Sequence, residues 1–140
     1  MTPLYRFYLL HKPTYSFYIL LVKNLPCFDL KNAIENEPEL SATAFNKTLG
    51  FIAERIPYRF YWHVFDPTND SDTEAVCGDL LDDLGDIYKD IKRYLLLFDA
   101  HKTTNVENAL YQFKFYFEHH WGDHCVNALY AIHYFLQKQE

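Results

Sequence analysis

The sequence has few of the residues that interrupt or cross-link a chain. Its 140 residues include only four glycines, six prolines and three cysteines. So few glycines and prolines argue against a fold of many short strands joined by tight turns. Cys27, Cys77 and Cys125 stand far apart and are odd in number, which fits neither a disulfide framework nor a zinc knuckle. The predicted location is therefore the reducing cytoplasm.

Long apolar runs and clusters of basic residues are missing as well. The most apolar segment, Tyr15–Val22, is much shorter than the ~20 residues that a membrane-spanning helix needs, and no signal-peptide cleavage pattern follows it. The net charge is -6, and residues 66–90 contain nine acids and one base. Nucleic-acid binding requires clustered Lys and Arg. We therefore expect neither a nucleic-acid partner nor a membrane partner.

The abundant residues indicate a helical protein with an aromatic core. Apolar residues make up 49% of the chain and aromatic residues 19%, which argues against disorder. The length predicts a single domain over residues 1–140. Apolar residues recur at helical spacing in several segments. The predicted fold is all-α, a bundle of five to six helices that ends in two long antiparallel helices.

Prolines and capping residues divide the first half of the chain. The first two predicted helices are Leu4–His11 and Thr14–Asn24, and Phe28–Glu37 is either a short helix or an irregular link. A third helix begins after Ser41 and ends at Pro57. The aromatic residues of Tyr58–Phe65 suit a strand. Because no partner strand is evident, we favour a helical turn or a short helix there.

The second half contains the two long helices. Asp66–Gly78 is predicted to be a loop, and Asp79–Phe98 is the strongest helix. The last helix follows a turn at Ala100–Thr103 and runs to about Leu136. Gly122 lies inside it, where glycine costs about 1 kcal/mol relative to alanine. Either the helix kinks there or another group packs closely on its backbone, and we favour one continuous helix because the apolar stripe keeps its phase.

Each long helix carries polar residues beside its apolar stripe. In the first, carboxylates recur with helical spacing at Asp79, Asp83, Asp86 and Asp90. In the second, His124 lies within the apolar face and His120 at its margin, one helical turn apart. Consecutive helices joined by a short turn usually pack antiparallel. We therefore predict that the histidines face Asp83, Asp86 and Asp90.

Three interpretations of this polar site remain open. The first is a divalent metal site with Asp83, His120 and His124 as candidate ligands. The second is an acid/base pair, and the third is a structural layer in which buried Asp and His satisfy each other's hydrogen bonds. Metal sites in helical bundles usually use Glu-x-x-His, a spacing that neither histidine has. We therefore predict no cofactor and a non-enzymatic interaction or structural domain, with a metal-dependent or acid/base enzyme as the alternative; no catalytic residue is assigned.

A second group of candidate residues is aromatic. Tyr58, Tyr61 and Trp62 occur close together in a segment that also contains Phe65. Side chains of this kind are usually core, but an exposed aromatic patch marks an interaction site. We therefore keep a protein partner, or a second copy of the chain in a homodimer, as a candidate.

Three segments together resemble a known family. They are YWHVFDP (Tyr61–Pro67), GDLLDDLGDIYKDIK (Gly78–Lys92) and FEHHWGDHCVNALYAIH (Phe117–His133). Over roughly residues 58–136 the chain resembles a bacterial domain-of-unknown-function family, number five-zero-six-three. The resemblance implies an all-helical fold and no assigned activity.

Overall fold

The computed structural model describes Val22, Asn24, Leu25 and residues 38–99 and 103–138. Most of these residues are helical. In chain order the elements are helix α1 (Ala42–Ala53), strands β1 (Phe60–Val64) and β2 (Ala75–Asp79), helix α2 (Leu80–Asp99), helix α3 (Thr103–Tyr116), a π-helical turn (Phe117–Trp121) and helix α4 (Gly122–Gln137). The predicted helical character is confirmed, with a two-stranded sheet added to it. The predicted helices Leu4–His11 and Thr14–Asn24, and the segment Phe28–Glu37, lie almost entirely outside the described residues. The total of five to six helices therefore stays a prediction.

The segment Tyr58–Phe65 contains strand β1, so the prediction of a helical turn is wrong. β1 pairs antiparallel with β2 in a register that sets Tyr61 opposite Gly78. The partner strand lies mostly within Asp66–Gly78, which was predicted to be a loop, and its sequence AVCGD shows no regular apolar alternation. A Cβ atom at Gly78 would overlap the Tyr61 ring, so glycine lets that ring lie across β2. The aromatic preference for a pleated surface prevails once a partner strand is present.

Asp79 fixes the junction between the hairpin and helix α2. Its carboxylate accepts a hydrogen bond from the backbone N–H of Leu81 at 3.0 Å, so Asp79 caps the helix and lies just outside it. The same carboxylate accepts hydrogen bonds from Arg59, at 2.9 Å from Nε and 2.6 Å from Nη2. Hydrogen bonding from Arg59 lowers the pKa of Asp79 below its ordinary value. These contacts tie β1 to the first turn of α2.

Helix α2 packs against the C-terminal helices in the predicted antiparallel direction. His120 contacts Asp90, whereas His124, one turn later, contacts Asp83, nearly two turns earlier on α2. Apolar side chains on both sides of this contact form two buried clusters. One consists of Tyr61, Leu80, Ala128, Ala131 and Phe135, and the other of Val22, Tyr94, Phe117 and Trp121. Among the described residues, no helix is both long enough and apolar enough to cross a membrane.

Candidate functional site

The carboxylates of helix α2 divide into two groups by what they contact. Asp79 binds Arg59 and does not face the histidines. Asp83 and Asp90 are each only 5% exposed, and both accept hydrogen bonds from the C-terminal helices. Asp86 is half-buried and lies between them. The structure therefore brings together the predicted set of Asp83, Asp86, Asp90, His120 and His124.

Asp83 is the centre of a buried chain of hydrogen bonds. Its Oδ1 atom lies 2.7 Å from Nδ1 of His124, and its Oδ2 atom accepts the hydroxyl of Tyr61 at 2.5 Å. The hydrogen bond to Asp83 raises the pKa of His124 above its ordinary value, although burial opposes this. Burial, followed by the hydrogen bond to Asp83, raises the pKa of Tyr61, so its hydroxyl stays protonated and donates. Both oxygens of Asp83 are thus already engaged.

His120 forms the second histidine–aspartate pair. Its Nδ1 atom lies 2.8 Å from Oδ2 of Asp90, and its side chain is 43% exposed, against 24% for His124. The two imidazole rings meet edge to face, with their centroids 4.9 Å apart. In both histidines Nδ1 points to a buried carboxylate. The Nε2 atoms are therefore left for other partners.

Asp86 lies close to one of those remaining nitrogens. Its Oδ2 atom lies 3.7 Å from Nε2 of His124. One donor atom each from Asp86, His120 and His124 can be chosen so that all lie within 4.8 Å of one another. The metal ligands predicted from the sequence are Asp83, His120 and His124. The group of close donors contains both predicted histidines together with Asp86, whereas each oxygen of Asp83 already takes part in a hydrogen bond, to Tyr61 or to His124.

A π-helical turn carries His120 into position. The turn spans Phe117–Trp121, and the backbone N–H of Gly122 donates to the carbonyl of Phe117. A Cβ atom at Gly122 would overlap that carbonyl oxygen, so the close approach of backbone explains the glycine. The predicted continuous helix thus contains one wider turn. Turns of this kind often occur at functional sites.

The three aromatic candidates, Tyr58, Tyr61 and Trp62, differ in how far they are exposed. Tyr61 is 6% exposed and belongs to the core and to the Asp83 network, so it is not available to a partner. Tyr58 is 48% exposed, and its ring packs on Phe135 at a centroid distance of 5.1 Å. Trp62 is 65% exposed. The role of Tyr61 in the polar site was missed because its contact with Asp83 requires the hairpin, which the sequence did not reveal.

Fold and site together define a mostly helical domain with an aspartate–histidine site between its long antiparallel helices and a β-hairpin that closes one side. The chain belongs to the family described as Domain of unknown function (DUF5063), whose model matches residues 28–138. This confirms the resemblance drawn from the three sequence segments. No functionally curated protein matches the chain.

A solved structure shares this fold. The chain is similar to protein BF1032 from Bacteroides fragilis, with a TM-score of 0.65 and 21% sequence identity. The similarity covers 81% of this chain and 65% of that one, so this chain spans about two-thirds of its relative. At this identity the likeness supports the fold alone.

Proposed function

We propose that this domain binds one divalent transition-metal ion through Asp86, His120 and His124. One observation carries the proposal: both imidazoles are oriented by buried carboxylates at Nδ1, and one donor atom each from Asp86, His120 and His124 lies within 4.8 Å of the others, with Nε2 of His124 3.7 Å from the Asp86 carboxylate. Metal-ligating histidines almost always donate their other ring N–H to a carboxylate or carbonyl in this way. Asp90 and Asp83 supply those outer partners here.

The donor geometry suits an ion after a small contraction. Metal–ligand bonds of about 2.1 Å place donors about 3–3.5 Å apart, which is closer than the present spread of up to 4.8 Å. Asp86 and His120 have side chains that are 26% and 43% exposed, so these two have room to move inward. Two imidazoles and one carboxylate suit Zn²⁺ and Fe²⁺. Three protein ligands also leave coordination positions for water or another ligand.

A structural polar layer is the competing interpretation, and Asp86 separates the two. Pairing Asp83 with His124 and Asp90 with His120 satisfies buried groups whether or not a metal binds. Asp86 takes no part in either pair. Its longer contacts, 3.7 Å to His124 and 3.9 Å to Lys89, involve partly exposed side chains, so Asp86→Asn distinguishes the interpretations without opening a buried pair.

The test is calorimetric titration of tag-free protein with Zn²⁺, with elemental analysis of the purified protein. We expect one Zn²⁺ per chain, and an affinity at least about 100-fold weaker in Asp86→Asn, since loss of an outer partner alone costs about 10–100-fold. Asp99→Asn is the matched control, because Asp99 is an exposed carboxylate at the last residue of α2, more than two turns beyond Asp90, and should leave affinity unchanged. Absence of stoichiometric binding, or equal affinity in Asp86→Asn, would overturn the proposal in favour of the polar layer.

Association through the hairpin is a second candidate function. Phe60, Trp62 and Phe65 are 61%, 65% and 80% exposed, and together we call them the hairpin aromatics. Large aromatic side chains exposed this way are typical of protein interfaces. We propose a second copy of the chain as the partner. Light scattering coupled to size-exclusion chromatography tests this: a dimer that dissociates in Trp62→Ser supports it, and a monomer at high concentration contradicts it.

The predicted cytoplasmic location remains part of this proposal. Cys77 and Cys125 are both free thiols, which accords with a reducing compartment. Burial raises the pKa of Cys125 to about 11, so this thiol is protonated and unreactive at neutral pH.

A further inference from the structure

A cavity adjoins the proposed metal site on the other side of Asp86. It lies between helix α1 and the first turns of helix α2 and has a volume of about 310 Å³. Such a volume is at the lower end of the range for small-molecule sites. Phe45, Leu49 and Leu81 supply apolar surface, Arg59 and Lys89 supply positive charge, and Asp82 and Asp86 supply negative charge. Apolar surface combined with convergent polar groups is typical of sites for small organic ligands.

Asp86 belongs to both the histidine cluster and the cavity. Its Oδ2 atom lies 3.7 Å from Nε2 of His124, and its Oδ1 atom lies 3.9 Å from Nζ of Lys89. On the α2 helix, Asp83 and Asp90 project to one side of Asp86 and Lys89 to the other. An ion bound to Asp86 would therefore lie at the boundary of the cavity.

The two cations of the cavity differ in how far their charge is already compensated. Arg59 makes a two-pronged ion pair with Asp79, which is as close as 2.6 Å. Among the described residues, the one ion-pair partner of Lys89 is Asp86, at 3.9 Å. If Asp86 bound a metal ion, its negative charge would no longer be available to Lys89, and the Lys89 ammonium would lose most of its electrostatic compensation. It is then free to attract an anion.

We propose that this cavity binds a small organic anion with an apolar body. Its anionic oxygens complete the coordination of the metal and contact Lys89, while its apolar body packs on Phe45, Leu49 and Leu81. Carboxylates and phosphate esters share this chemistry, because both offer charged oxygens to a metal and to an ammonium group. The inference rests on the proposed metal site and names the class of ligand that the site would take.

The experiment uses two anions and one neutral compound. Benzoate, phenyl phosphate and benzyl alcohol share an aromatic ring and differ in the group attached to it. Each is titrated calorimetrically into zinc-loaded, tag-free protein and into metal-free protein, after the zinc stoichiometry of the same sample has been measured. We expect at least one anion to bind, with affinity at least about 10-fold weaker without zinc, and no measurable binding of benzyl alcohol. The stronger of the two anions identifies the ligand as a carboxylate or a phosphate ester.

Variants distinguish anion binding in the cavity from anion binding to the metal ion alone. Leu49→Trp fills the cavity, and Phe51→Trp adds the same ring to a position on α1 that is 56% exposed. Lys89→Met removes the cation, and Lys92→Met removes a neighbouring one that does not line the cavity. We expect anion affinity to fall at least about 10-fold in Leu49→Trp and Lys89→Met only, with zinc binding retained. Circular dichroism checks that each variant is folded. If Leu49→Trp does not fold, the comparison of Lys89→Met with Lys92→Met tests the inference.

Two negative outcomes have different meanings. Zinc binding without anion binding, or anion binding that is unchanged in Leu49→Trp and Lys89→Met, overturns this inference and leaves the metal site standing. Failure to bind zinc removes both.

Discussion

The hydroxyl of Tyr61 should contribute measurably to stability, because it is one of two groups that satisfy a buried carboxylate. Tyr61→Phe keeps the ring in its place over Gly78 and removes only the donor to Asp83. Hydrogen bonds to charged groups contribute about 1.5–3 kcal/mol. Tyr61 and Asp83 are 6% and 5% exposed, so water cannot readily replace the lost donor. We therefore expect the free energy of unfolding to fall by about 1.5–3 kcal/mol.

Urea denaturation at pH 7, followed by circular dichroism, measures this loss. For a small protein, it lowers the urea midpoint by about 1 M at an unchanged slope. Tyr58→Phe is the control, because Tyr58 is half-exposed and its hydroxyl makes no hydrogen bond to the described residues. That variant should stay within about 0.5 kcal/mol of the parent. A loss below about 0.5 kcal/mol in Tyr61→Phe would refute the reasoning, since it would mean that Asp83 does not depend on this donor.

Two further predictions concern His124 and Gly122. The pKa of His124 is raised in the folded protein, so its stabilising effect is fully present below its ordinary pKa of about 6.5 and is lost as pH rises through the raised value. The free energy of unfolding of the parent minus that of His124→Asn should therefore be larger at pH 6 than at pH 8, and an equal difference at both would contradict this. Gly122→Ala should destabilise by about 1–3 kcal/mol through overlap with the Phe117 carbonyl, whereas helix propensity alone would give about 1 kcal/mol of stabilisation. Gly50→Ala, where a Cβ meets nothing within 4 Å, should instead stabilise by up to about 1 kcal/mol, and a gain in both variants would disprove the role of the π-helical turn.

The pairing of the aspartate and histidine edges was predictable because it depends on local rules. Helical periodicity fixes which side chains share a face, and a short connection fixes the antiparallel direction. Those two rules place the edge of His120 and His124 opposite the edge of Asp83, Asp86 and Asp90; the individual pairs, His120 with Asp90 and His124 with Asp83, come from the structure. Each contact is then found, at 2.8 and 2.7 Å.

The hairpin was not predictable by the same rules because strand pairing is non-local. Half of it, Ala75–Asp79, has no alternating apolar pattern and directly follows an acidic loop. Its position depends on contacts that appear only in the folded chain. Arg59 binds Asp79 across the two strands, and the Tyr61 ring lies over Gly78. The π-helical turn was missed for a related reason, since an apolar stripe does not reveal a single wider turn.

These missed elements decide what the polar site can do. In a plain pair of helices, Asp83 would have one oxygen for His124 and another for a metal ion. The hairpin brings the hydroxyl of Tyr61 to that second oxygen, and Asp83 becomes a support for His124. In the proposed metal site the third donor is therefore Asp86, whose Oδ1 atom lies 3.9 Å from Nζ of Lys89 and which also lines the cavity. Strand β1 contains no proposed metal ligand, but its Tyr61 engages Asp83 and so shifts the proposed metal site to Asp86. Of Asp83, Asp86 and Asp90, Asp86 is the one that also lines the cavity.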